Sequence, residues 1–221
     1  MKYATLYMTG PTQSWGDSSD WDLRTTNIFP TKSGVLGGMF ATLGIDREFS
    51  SEYYPKVKSV RMTSLMFGVP NIFTDFHVVT NVPVALTGKL NSDISKRNSV
   101  THREYITNVS YGVILEGDDE VIGWLCSRMK NPKWKFSLGK KCCIPTEPIY
   151  SGIFNTKEEA ITEAKRRYNQ TLKLTDTTSS EKVIRVQEEC GFNDHTEILR
   201  DNPKGNRNFG MRYVKNYELN A

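Results

Sequence analysis

The chain is poor in the residues from which metal and redox sites are made. Its 221 residues include three histidines and four cysteines, Cys126, Cys142, Cys143 and Cys190. There is no Cys-x-x-Cys pair, and adjacent Cys142 and Cys143 are badly placed to bridge each other. Neither a zinc site nor a disulfide framework is expected, and the thiols read as reduced groups in a cytosol. Aspartates and glutamates are scattered, which argues against a cage for a divalent cation. No apolar run approaches the ~20 residues of a membrane span, and no charged leader precedes an apolar stretch at the start. Internal repeats and low-complexity tracts are also missing. Together these absences predict a cytoplasmic protein with no cofactor, no metal and no membrane partner. The net charge is only +4, so any site for a polyanion must come from local clustering of basic residues.

The length suits one large domain, or a medium domain with an appendage. A chain of this size buries roughly 70% of its unfolded surface. Its most informative stretch is Pro30-Thr31-Lys32-Ser33-Gly34-Val35-Leu36-Gly37-Gly38. A helix starting there has Thr31 or Ser33 as its cap. Lys32, the free N–H groups and the dipole would then form a seat for a phosphate. Val35, Leu36, Met39, Phe40 and Leu43 form a core-facing stripe. Gly34, Gly37, Gly38 and Ala41 form a small-residue face, approached by a ligand or packed on a sheet. A nucleotide P-loop is excluded, because it needs glycine where Thr26 and Thr31 stand.

Along the chain, alternation at Tyr3–Met8 predicts a strand. The Gly- and Ser-rich stretch from Gly10 to Arg24 reads as irregular. A helix over 33–44 ends at Gly44. Strands are expected at 57–67, 76–82, 105–116 and 134–138, with a second amphipathic helix around 121–129 ending before Pro132. Between Pro83 and Arg103, polar residues mix with Lys89, Lys96, Arg97, His102 and Arg103, as in a protruding hairpin. With that arm set aside, the order is β-α-β-β-α-β. This is an α+β, ferredoxin-like split βαβ domain over 1–145, with the arm at about 83–104 and both helices on one face. A small C-terminal α/β extension is expected over 146–221. It holds a polar helix at 156–168, a linker at 175–180, a strand at 182–188 and a tail. The tail mixes Lys204, Arg207, Arg212 and Lys215 with Phe209, Tyr213 and Tyr217. That pattern fits nucleic acid or a two-sided strand equally well.

Gly10-Pro11-Thr12-Gln13-Ser14-Trp15-Gly16, then Arg24, then Pro30 to Gly37 resemble the N-terminal signature of one family. It is the fifth CRISPR-associated protein family in its type I-E form, CasD. Asp75-Phe76-His77, Arg103-Glu104-Tyr105-Ile106 and Leu138-Gly139-Lys140-Lys141-Cys142 follow in the family's order. Lys140 stands where the family favours arginine, and Cys142 where it favours serine. The resemblance implies an RNA-recognition-type fold in a subunit of the Cascade surveillance complex. Such a subunit grips the 5′ handle of the CRISPR RNA and caps the backbone subunits through its arm. It neighbours the large subunit and lies near target DNA. A separate family member cuts the precursor RNA, so a binding role is implied and not an enzymatic one.

On that reading Thr31, Lys32, Ser33 and Gly34 seat a handle phosphate, and Gln13 and Ser14 bond base edges or ribose hydroxyls. Trp15 stacks a base or anchors its loop. Arg24, Lys96, Arg97, His102, Arg103, Lys140 and Lys141 contact the backbone, and His77 contributes to the site or satisfies the core. Two alternatives stand beside it: a protein-only assembly module, and a metal-independent endoribonuclease. The latter needs a base and an acid within hydrogen-bond reach. His77, His102, Lys32 and Tyr105 are available, but no spacing brings them together.

Overall fold

The computed structural model describes residues 1–16, 20–83, 87–93, 97–174, 183–205 and 208–220. Its elements run in order as β1 (Lys2–Met8), β2 (Leu23–Arg24), α1 (Lys32–Leu43), α2 (Ser50–Tyr53), β3 (Arg61–Phe67), β4 (Asn71–Val79), β5 (Ser99–Thr107), β6 (Ser110–Gly117), α3 (Asp119–Cys126), β7 (Tyr150–Phe154), α4 (Lys157–Leu174), β8 (Val183–Glu189), β9 (Glu197–Gly205) and β10 (Asn208–Asn220). A seven-stranded sheet has the order β7-β1-β6-β3-β8-β10-β9, and a second sheet the order β2-β5-β4. All neighbours in the large sheet are antiparallel. Each helical crossover skips one strand: β1-α1-β3 straddles β6, and β6-α3-β7 straddles β1. The fold is therefore α+β with a split βαβ frame. The stretch after residue 145 adds β7 to one edge of that sheet and β8, β10 and β9 to the other.

Period-two alternation sorts the core onto the two sheet faces. Ala4, Leu6 and Met8 meet the α1 stripe of Val35, Leu36, Met39 and Phe40, and Ile122, Leu125 and Cys126 of α3, in one cluster. Tyr7, Leu65, Phe67 and Ile114 meet Ala160 and Ala164 of α4 in another. Both crossover helices thus lie on one face, as their stripes predict. The cap at Thr31 also forms: its Oγ1 accepts the N–H of Gly34 at 3.3 Å. Gly44 closes α1 at φ +79.

Three expectations need correction. Residues 134–138 are not a strand, and the frame closes with β7 at Tyr150–Phe154. The alternating residues bond elsewhere. The N–H groups of Lys133 and Trp134 take the Thr42 and Ala41 carbonyls at the end of α1, and Phe136 packs on Gly38. The expected strand 105–116 is two strands, divided at Asn108 (φ +60). Its first part, β5, belongs to the arm. The arm begins at Asn71 and not near 83, because β4 pairs with β5 from Asn71↔Thr107 to Val79↔Ser99. The linker 175–180, Lys182 and Arg207 lie outside the described residues.

The C-terminal strands seal the start of α1. The Lys32 side chain is 1% exposed, and its Nζ lies 3.0 Å from both Glu189 oxygens. Burial pushes the Lys32 ammonium down, while Glu189 pulls it back up. The Lys32 N–H donates to Asp201 Oδ2 at 2.8 Å. Asp201 in turn accepts Arg212 Nε and Nη2, both at 2.7 Å. Removing one partner of a buried pair leaves a charge without compensation. Glu189→Ala is therefore expected to lower the unfolding free energy by about 3–5 kcal/mol. Urea denaturation will measure this, and a loss below about 1 kcal/mol would show that Lys32 is solvated and not held.

Candidate nucleic-acid interface

The irregular stretch Gly10–Gly16 is an internal joint. Gln13 N–H donates to the Ile106 carbonyl at 2.9 Å, and Ile106 N–H returns a bond to the Gln13 carbonyl at 2.7 Å. The Gln13 side chain is fully buried; its Nε2 donates to the Val109 carbonyl, and its Oε1 accepts the Trp15 indole N–H. Ser14 Oγ donates to the Glu104 carbonyl at 2.9 Å. Trp15 is 1% exposed, with its ring lying against Gly34.

These placements correct several sequence readings. Gln13 and Ser14 spend their donors and acceptors on their own chain, so neither presents a base-reading surface, and Trp15 takes the loop-anchor alternative with its ring packed inside the chain. The seat expected from Thr31, Lys32, Ser33 and Gly34 is taken by Asp201 and Glu189. The close approach that Gly34 and Gly38 permit is made by Trp15 and Phe136. Arg97 bonds the Asn91 and Ser92 carbonyls within the arm. His77 Nε2 lies 2.6 Å from Asp75 Oδ2, two residues back on the same strand face. Lys96 lies outside the described residues.

What the joint holds outward is basic. Parallel pairing of β2 with β5 puts Arg24 beside Arg103 and Leu23 beside His102. The turn after Leu138 brings in Lys140 and exposed Lys141. Lys140 Nζ donates to the Glu104 carbonyl at 3.2 Å, the acceptor that Ser14 also uses. It also lies 4.4 Å from the Tyr105 ring centroid. Burial pushes the Lys140 ammonium below its ordinary value; Cys143 and Cys142 oppose that shift, while Arg103 and Arg24 reinforce it. The three cations thus feel one another. Among the described residues none of them has a carboxylate partner, since Asp75, opposite Arg103, pairs with His77.

Aromatic rings flank the cluster. Trp21 is 74% exposed, with the Arg24 guanidinium 5.8 Å from its ring. Phe73, 40% exposed, stacks at 5.5 Å on Tyr105, which is itself buried in the core. Phe76, 60% exposed, meets His102 edge-on on the opposite face of the arm. Trp21 and Phe73 are exposed rings beside these cations that the sequence reading does not single out. The available signal was their nearness in sequence to Arg24 and Asp75, whose strands both pair with that of Arg103. Cations among exposed rings are the means by which single strands are held without reading sequence. Among the described residues, no group of three or more His, Cys, Asp or Glu is placed to hold a metal ion.

An antiparallel sheet with two crossover helices and an outlying basic arm is a fold known from other proteins. A family model described as "CRISPR-associated protein (Cas_Cas5)" matches residues 5–215. The chain belongs to the CRISPR-associated Cas5 family. It is similar to the CRISPR system Cascade subunit CasD of Escherichia coli (strain K12), with 29% identity over 161 residues, covering 68% of this chain and 70% of the relative. Its fold is similar to a chain of a solved "CRISPR RNA-guided surveillance complex", with TM-score 0.74, 20% identity, and 99% of this chain and 90% of that one covered. A structure described as "Crystal structure of Cas protein" matches with TM-score 0.67 and 24% identity, covering 99% of this chain and 95% of that one.

The position of Lys140 rests on Gly139. Its φ is +87, and a Cβ there would lie 1.8 Å from the Ser14 carbonyl oxygen. Gly139→Ala is expected to cost at least about 1–3 kcal/mol in thermal or urea unfolding. The same change made at Gly37, where a Cβ meets nothing within 4 Å, is expected to be neutral or stabilising. Equal effects at the two positions would show that the turn adapts.

Proposed function

We propose that this chain is the Cascade subunit that holds the 5′ handle of the CRISPR RNA and caps the backbone assembly with its arm. The support is family membership together with one structural feature, the cluster of Arg24, Arg103 and Lys140, without carboxylate partners among the described residues, beside the exposed rings of Trp21 and Phe73. Like charges gathered on one face are stable chiefly when an anion joins them. Phosphate contacts from such a face position a strand, and the rings accept any base. The arm carries exposed Ile72, Phe76, Val78 and Val100 on one face, an apolar strip suited to a neighbouring protein. The other partners on this reading are the backbone and large subunits, with target DNA nearby and the cytoplasm as location.

Binding is favoured over cleavage by the placement of the acid–base candidates. Phe76 pairs with His102 and His77 with Thr101, so the two histidines occupy opposite faces of the arm. Lys32 is sealed under β8 and β9. Burial and the nearby Cys142 push the Tyr105 phenol up to about 12, beyond easy proton exchange at neutral pH. Incubation with cognate repeat RNA in chelator is expected to leave the RNA intact. Site-specific cutting abolished by His102→Ala would establish the endoribonuclease alternative.

Binding itself is tested with the same RNA by salt titration. Each of Arg24→Ala, Arg103→Ala and Lys140→Ala is expected to weaken binding and to reduce the log–log salt slope by about 0.7 per lost phosphate contact. Lys32→Met, at a site already closed, is expected to leave the slope unchanged. The reverse pattern would return the binding site to the start of α1.

A pH titration follows from the lowered Lys140 ammonium. A lysine pushed below its ordinary range is charged below that lowered pKa and neutral above it. RNA affinity is therefore expected to fall as pH rises toward the ordinary lysine range, while Lys140→Arg holds its affinity there. Parallel profiles for the two proteins would remove Lys140 from the interface.

A further inference from the structure

Between Glu120 and Glu147 the chain has no acidic residue and six cations. Two of them, Lys140 and Lys141, belong to the basic face at the arm. The other four, Arg128, Lys130, Lys133 and Lys135, stand at the opposite end of α1. The turns that follow α3 bring them there. Met129 N–H takes the Cys126 carbonyl and Asn131 N–H the Arg128 carbonyl, and Lys133 and Trp134 then hang from Thr42 and Ala41. Because α1 has 12 residues, this rim lies about 18 Å along the helix from Lys32. From Ser127 to Lys135 every residue but Met129 is exposed.

Two nearby lysines are engaged within the protein. The Lys133 stem crosses Gly44 at the end of α1, where a cation suits the negative end of the helix dipole. Its Nζ lies 5.2 Å from the Trp134 ring centroid. Lys56 Nζ lies 4.1 Å from the ring centroid of Trp124, four residues before Arg128. Arg128, Lys130 and Lys135 have neither a carboxylate nor a ring partner among the described residues. Asp46, Glu48 and Glu52 follow α1, are exposed, and pair with none of the three. Uncompensated charges on one short rim raise the local potential that draws an anion in.

The form of the rim selects the polyanion. A peptide docks on a strand edge or in an apolar groove, whereas residues 127–135 form exposed turns and no strand. A single strand is held by bases on open rings, and the rings here carry lysines. What remains is contact by charge with a stiff, evenly charged backbone. A double helix offers this, with one phosphate charge per about 1.7 Å of its axis. Contacts of that kind position a duplex and read no sequence.

We propose that Arg128, Lys130 and Lys135 form a second nucleic-acid contact, which takes the phosphate backbone of a double helix. It goes beyond the RNA-binding reading above and stands on different residues. The arm face holds a single strand by cations beside open rings, and the far rim steadies a duplex by charge alone.

The test uses the full chain and four probes: a DNA duplex of arbitrary sequence, an RNA duplex of the same length, an unstructured RNA strand and poly-L-glutamate. Affinity is read by fluorescence anisotropy over a salt series. The wild type is expected to bind duplex, and comparison of the two duplexes shows which helix the rim prefers. The triple variant Arg128→Gln, Lys130→Gln and Lys135→Gln is expected to weaken duplex binding by tenfold or more. Its log–log salt slope on DNA is expected to shrink by about 0.9 for each lost contact. Its affinity for the RNA strand is expected to stay unchanged, which also shows that it folds. Exchange of arginine and lysine at the same three positions is expected to keep duplex binding, and Arg103→Ala to weaken only the RNA strand. Equal duplex affinity in the wild type and the triple glutamine variant overturns the proposal. So does poly-L-glutamate binding in place of duplex, which would make the rim a seat for an acidic protein segment. Loss of RNA-strand binding with the duplex retained would overturn the RNA reading and leave this contact standing.

Discussion

The structure depends on how the stretch Gly10–Gly16 satisfies its backbone. A loop buried between two sheets must place every N–H and C=O on a partner. Here Gln13 exchanges bonds with Ile106 of the arm, and Ser14 N–H takes the Leu138 carbonyl. Trp15 N–H takes Thr26 Oγ1, and the Trp15 carbonyl accepts Asn27 N–H. Thr26 N–H reaches Glu104 Oε2. One irregular heptapeptide therefore ties together the arm, the strip leading to α1 and the turn at Gly139. These are the three pieces that carry Arg24, Arg103 and Lys140. The residues that look most like ligand contacts serve instead as the frame on which the cations are hung.

The legible part of the fold was the part governed by periodicity. The α1 stripe, the alternation at Ala4, Leu6 and Met8, and the end at Gly44 each follow from local geometry, and the split βαβ frame follows from their order. Trp134 to Leu138 alternated just as convincingly, yet formed no ladder. The carbonyls at the end of α1 and the Gly38 face offered better partners than a sheet edge. That competition is tertiary, and no local pattern reports it.

The site was legible in its cations and not in its anions. Arg24, Arg103 and Lys140 stood out as basic residues beside turns or strands. Lys32 stood out equally, since a lysine at a helix start with glycines behind it is what a phosphate seat looks like. Its neutralisation comes from Glu189 and Asp201, more than 150 residues away in sequence. Sequence order shows where a charge is and rarely what it faces. Burial decides the matter, because a lysine 1% exposed persists only with its carboxylate beside it.

The two ends of this surface differ in how their electrostatics are resolved. At the start of α1, each cation has its carboxylate and the protein is self-sufficient. At the arm, like-charged neighbours on paired strands cost about 0.2–1 kcal/mol each, and Lys140 is held partly out of water besides. A chain able to pair Lys32 so fully, and to turn Asp75 toward His77 instead of Arg103, leaves its remaining cations facing outward on a rigid joint. That asymmetry makes the arm the end that gains most from an arriving polyanion.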